Sequence, residues 1–116
     1  AVTDTGNMFG ALEFATAAAK GGVQPIIGCQ VALGLEGHQL VLIAQDEGGY
    51  RSLCRLVSKS HMDVTPPDPP HVTWDDLAEY GGRGIICLTG GVRGPVAQYL
   101  LHNQKKSAED ALKRLH

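Results

Sequence analysis

The stretch Ala1–Val31, AVTDTGNMFGALEFATAAAKGGVQPIIGCQV, decides the fold class, because it reads in one pass as strand, polar turn, helix and second strand. The apolar start at Ala1 and Val2 is ended by Thr3, Asp4, Thr5, Gly6 and Asn7. Met8, Ala11, Leu12, Ala15, Ala18 and Ala19 then recur at the i, i+3, i+4, i+7 spacing of an amphipathic helix. Asn7 is placed to cap that helix, Gly6 to bend the chain into it, and Gly21 with Gly22 to end it. Val23 to Leu33 is apolar with little alternation, as in a strand covered on both faces. A strand-to-helix turn of this kind lies at the C-terminal edge of a sheet, where α/β proteins place ligands, so Asp4 is the first candidate working residue.

The same rhythm continues outward. Gly34–His38 is a turn, Gln39 to Ala44 a short buried strand, and Asp46 the cap of a helix that runs to about His61. Its apolar stripe is Tyr50, Leu53, Cys54 and Val57, with Arg51, Arg55 and Lys59 opposite. Met62 to Val72 carries Pro66, Pro67, Pro69 and Pro70, which favours an extended connection. Thr73, followed three residues later by Asp76, is a capping pattern for a short helix to Tyr80. Gly84 to Leu88 is a buried strand, and Thr89–Pro95 a second strand-to-helix turn with Pro95 suited to the first helical position. The helix after it buries Val96, Tyr99 and Leu100, and Ser107 caps a last helix with Asp110 three residues on. These four strands and about five helices describe an α/β chain.

Composition narrows the function. Ten Lys and Arg against twelve Asp and Glu give a net charge of -2, with no basic cluster, which argues against direct nucleic-acid binding. Cys29, Cys54 and Cys87 are odd in number, far apart and set among apolar residues, so a reducing, cytoplasmic setting is expected rather than a disulfide framework. No apolar run approaches the length of a membrane span, and no signal peptide opens the chain. The chain lacks an initiator Met, starts in a strand and stops at Leu115–His116 in a helix, so an internal piece of a longer protein is expected.

Three chemistries compete for the strand-end turns. Gly90, Gly91 and Gly94 with Arg93 could offer amides to a phosphate, but the spacing is neither GxGxxG nor GK[ST], and a tight turn explains them more economically. Asp4, His38 and His61 could supply metal ligands, yet each is isolated in sequence; His61 continues the helix stripe as a core-edge imidazole, and Asp4 can serve as a turn acceptor. His71, His102 and His116 are expected in solvent. A cysteine nucleophile is disfavoured, since all three thiols lie in buried elements.

Four segments, TDTGNMFGALEF, QPIIGCQV, LVLIAQDEGGYRSLCRLVSKSH and GIICLTGGVRG, resemble in order and spacing the PHP (polymerase and histidinol phosphatase) domain of the bacterial replicative DNA polymerase III α subunit. The resemblance implies a seven-stranded α/β barrel of mostly parallel strands with outer helices, of which residues 1–116 supply an internal portion. It further implies, for active relatives, a metal cluster that hydrolyses phosphoesters, in some polymerases as a proofreading nuclease.

Position by position, the family's ligands are replaced. TDHG reads Thr3-Asp4-Thr5-Gly6, with Thr5 in place of the His. IIGCE reads Ile26-Ile27-Gly28-Cys29-Gln30, with an amide in place of the bridging carboxylate. The next ligand His aligns with Gln39, and His38, one residue away, would point to the opposite face. SGC reads Thr89-Gly90-Gly91, which removes the Cys. The resemblance therefore implies a degenerate site with no catalytic residue, metal or cofactor of its own. Its parent would be a DNA-directed DNA polymerase, a nucleotidyltransferase, and its partners the other domains of that subunit and its proofreading exonuclease subunit. The alternatives are an active metal-dependent phosphoesterase or proofreading nuclease, and a small-molecule-binding domain built on the Gly90–Gly94 turn.

Overall fold

A computed structural model of the chain describes residues 1–63 and 68–115, so Pro66, Pro67 and His116 lie outside the described residues. The elements are β1 (Val2–Thr5), α1 (Ala11–Lys20), β2 (Ile27–Leu33), β3 (His38–Ala44), α2 (Glu47–Met62), α3 (Trp74–Tyr80), β4 (Ile85–Leu88), a 3-10 turn (Gly91–Arg93), α4 (Pro95–Leu101) and α5 (Lys105–Leu115). They form a four-stranded sheet in the order β1-β2-β3-β4, with helices packed against it.

The expected mostly parallel arrangement is corrected. Among the described strands only β1 and β2 pair in parallel, across the α1 connection; β2 with β3 and β3 with β4 are antiparallel. The reason is loop length. A parallel return needs a crossover of about a dozen residues or more, whereas Gly34 to Gly37 leaves room only for a hairpin. Between β3 and β4, α2 and α3 bring the chain back to the end where β3 finished, so Ile85 pairs with Ala44.

One face of the sheet carries the core. Cys29, Val31 and Leu33 of β2 and Leu40 and Leu42 of β3 alternate inward and meet Leu53 and Leu56 of α2 and Val72. Val72 is bound into the sheet by its own backbone. Its amide donates to the Ala32 carbonyl and its carbonyl accepts from the Gly34 amide, both at 2.8 Å, forming a parallel bridge with Leu33. Because β1 stops at Thr5, Val72 takes the next free length of the same β2 edge.

Several expected burial patterns shift. The buried positions of α2 are Gly49, Leu53, Leu56 and Ser60, while Tyr50 is exposed. Gly49 explains the rotation: a Cβ there would run into the Gly84 backbone, so the glycine lets the start of α2 touch the start of β4. α1 begins at Ala11, buries only that residue fully, and leaves Leu12 80% exposed. Asn7 is not its cap, because the helix starts later; Gly10 holds the N-cap position. Pro25 has no amide to give the sheet, and β2 starts at Ile27 rather than Val23. β4 is an outer strand with Ile86 and Leu88 exposed, not a buried one. Leu100 is also exposed, while Pro95 holds its expected place at the start of α4. Ser107 lies inside α5, whose buried side is Ala108 and Ala111. The caps by Asp46 and by Thr73 with Asp76 form as expected.

Candidate functional site

The sheet brings three of the four positions matched to ligands, Thr5, Gln30 and Gln39, to one edge. Thr5 at the end of β1 pairs in register with Gln30 on β2. Gln30 donates from Nε2 to Gln39 Oε1 on β3 at 2.9 Å, and Gln39 Nε2 donates to the Gly37 carbonyl at 3.3 Å. Gly91 follows Gly90, whose α-carbon packs so closely on the Gln39 carbonyl that a side chain there would overlap it. Thr5, Gln30 and Gln39 line a cleft of about 500 Å³ together with Asn7, Phe9, His61 and His71.

The other candidates disperse. Asp4 is occupied at the start of α1, where Oδ2 accepts the Gly10 amide at 3.0 Å. Asn7 tightens the same turn, donating to the Thr5 carbonyl at 3.0 Å and accepting from the Phe9 amide at 3.1 Å. His38, one residue before Gln39, packs edge-to-face on Tyr99 with ring centroids 5.1 Å apart, its Nε2 3.3 Å from the Glu36 carboxylate. Strand alternation separates it from the Gln39 cleft.

His61 differs from its expected core-edge place. It is exposed at the cleft, where Nε2 lies 2.8 Å from the Gly6 carbonyl. A carbonyl can only accept, so Nε2 carries the proton. His71 also lines the cleft, although sequence placed it in solvent; Nδ1 is 2.9 Å from the Pro69 carbonyl. No sequence signal joins these two imidazoles to the cleft, since His61 reaches a carbonyl fifty-five positions away.

The thiols are packing groups. Cys29 is fully buried with Sγ 3.3 Å from the Asn7 carbonyl, and burial pushes its thiol up despite that contact. Burial likewise raises the Cys87 thiol. Cys54 sits with Sγ 3.9 Å from Met8 Sδ. At the Gly90–Gly94 turn, close backbone packing accounts for Gly90 and Gly94, and the helix that follows is only seven residues long.

Residues 1–116 match the PHP domain family over their whole length. The chain belongs to the PHP domain family. Similar proteins include the DNA polymerase III subunit alpha of Caulobacter vibrioides, 37% identical over 99% of this chain and 11% of the relative. Those of Treponema pallidum and Thermus aquaticus are 32% and 33% identical, over 95% and 97% of this chain and 10% of each relative. The chain thus spans about a tenth of the length of the curated relatives it matches.

The four positions that the resemblance matches to metal ligands, Thr5, Gln30, Gln39 and Gly91, carry side chains that do not fit a metal cluster. Dications of the hard or borderline kind need carboxylate, thiolate or imidazole donors, and several ions together need negative charge to offset them. Thr5 offers a neutral hydroxyl, Gly91 no side chain, and the two glutamines direct polar atoms at each other. Among the described residues no group of three or more His, Cys, Asp and Glu converges in a way that could hold an ion.

Proposed function

We propose that this PHP segment is a non-catalytic module of a bacterial DNA polymerase III α subunit, serving DNA replication by supporting and docking other parts of the polymerase. Its four-stranded sheet is then a portion of a seven-stranded α/β barrel. The other domains of the α subunit are its first partners, the proofreading exonuclease subunit a further one, and it makes no direct contact with nucleic acid. Its place is the cytoplasm; no helix among the described residues is long and apolar enough to cross a membrane.

The observation that carries the reading is the Gln30–Gln39 amide pair. Two side chains at ligand positions meet each other rather than converge on a common point. The competing reading, a metal-dependent phosphoesterase or proofreading nuclease, needs imidazole, carboxylate and thiolate groups at Thr5, Gln30, Gln39 and Gly91.

Metal analysis of the purified chain after equilibration with zinc and manganese is the direct test, paired with hydrolysis of a chromogenic phosphoester. Less than one ion per chain and no turnover are expected. Two or more bound ions with turnover would overturn the non-catalytic reading. For docking, the full α subunit should lose exonuclease-subunit binding when its PHP segment is replaced by an unrelated domain; unchanged binding would remove that role.

A further inference from the structure

The Gln30–Gln39 contact has a direction. A backbone carbonyl accepts and never donates, so the Gly37 carbonyl fixes the Gln39 amide with its NH₂ toward the turn and its Oε1 toward Gln30. With Oε1 facing it, Gln30 must present its NH₂. Neither amide can turn over without breaking the chain of donors. The hydrogen bonds therefore run one way, from β2 through β3 to the hairpin turn.

We propose that Gln30, Gln39 and the Gly37 carbonyl form a one-way hydrogen-bond relay that takes over the bridging role of a metal at this sheet edge, so that a carboxylate restored at position 30 loosens the edge instead of recruiting an ion. The inference rests on the metal-free reading of the site above. In a Gln30→Glu variant the ionised carboxylate would aim an acceptor at Gln39 Oε1, another acceptor, and Gln39 could answer only by giving up Gly37. Once protonated, the same carboxyl would regain an O–H donor and restore the relay. Desolvation of a carboxylate at position 30 gives a pH dependence of the same sign, so the coupling between positions 30 and 39 is what separates the relay from a residue that merely fills space.

The test uses the whole chain in metal-free buffer, unfolded by urea, each variant compared with wild type at the same pH. Gln30→Glu should raise the unfolding constant about tenfold at pH 7.5, the range for an unsatisfied part-buried polar group, and return to within about threefold at pH 4. Adding manganese or zinc should not recover the loss. A double-mutant cycle of Gln30→Ala and Gln39→Ala should show a coupling of about threefold or more in the same constant.

A deficit of Gln30→Glu that is equal at both pH values, a recovery by metal, or additive alanine variants would each overturn the relay. The cycle decides the matter even if Gln30→Glu fails to fold. Bound ions with phosphoester turnover in the wild-type chain would instead overturn the metal-free reading, so the two failures are read from different samples.

Discussion

Gly90 and Gly91 are neighbours, both with positive φ, yet a side chain costs very different amounts at the two. At Gly91, φ is +59 and an added Cβ meets nothing within 4 Å. Gly91→Ala should therefore cost only the left-handed backbone penalty, about 1–2 kcal/mol. At Gly90, φ is +79 and the Cβ would collide with the Gln39 carbonyl, so Gly90→Ala should cost more than about 3 kcal/mol from strain and overpacking together. Urea unfolding of the two variants checks the contrast; equal losses would contradict it. The comparison bears on the site, since position 91, which the resemblance matches to a ligand cysteine, has space for a side chain and opposes it only through its backbone conformation. At this scale the sequence was highly legible where a motif supplied the register: Thr5, Gln30 and Gln39 could be placed at one site before any fold was known. His61 and His71 could not, because what puts them at the cleft is the packing of α2 and the path after it, not neighbours in sequence.

Among the elements, the join between α2 and α3 is the most clearly electrostatic. Lys59 Nζ lies 3.0 Å from Asp76, 3.6 Å from Glu79 and 4.0 Å from Asp63, and 5.6 Å above the Tyr80 ring. Burial alone would raise the Asp76 carboxyl, but the Thr73 amide and hydroxyl and the Lys59 ammonium outweigh it and hold the group below its ordinary 3.8. A carboxyl lowered in the folded state stabilises above its unfolded value and loses that contribution as pH falls through the folded one. Stability should thus decline below about pH 4. Asp76→Asn should flatten that decline, as read from urea midpoints at pH 3 and pH 6. Lys59 is raised, first by its bond to Asp76, so its contribution is present below 10.5 and lost as pH climbs past it. Removing the cap itself, Thr73→Ala, should cost about 1 kcal/mol. The caps at Asp46 and Thr73 could be read from sequence because a cap is a contact over three residues. Strand direction could not be read from alternation alone, since parallel and antiparallel neighbours place side chains on the same two faces; the four-residue Gly34–Gly37 connection is what dictates it.

For the molecule as a whole, the two faces of the sheet are unequal. The helix side is packed, while Val41, Ile43, Ile86 and Leu88 share the other face, with Ile86 and Leu88 43% and 47% exposed. Outer strands and an open apolar face invite pairing with another copy. The isolated chain should self-associate as its concentration rises, and Ile86→Lys with Leu88→Lys should hold it monomeric; sedimentation velocity over a hundredfold range of concentration checks this, and a wild-type monomer throughout would refute it. The Val72 bridge has an effect of another kind. By fastening Val72 to β2, it fixes the far end of the segment that leaves α2 after Met62. The free energy of closing a loop between two fixed points grows only with the logarithm of its length, about 0.6 kcal/mol for each doubling. The interval between Met62 and Pro69 is therefore a place where residues can be gained or lost in evolution at little thermodynamic expense, while Val72 stays in register on β2.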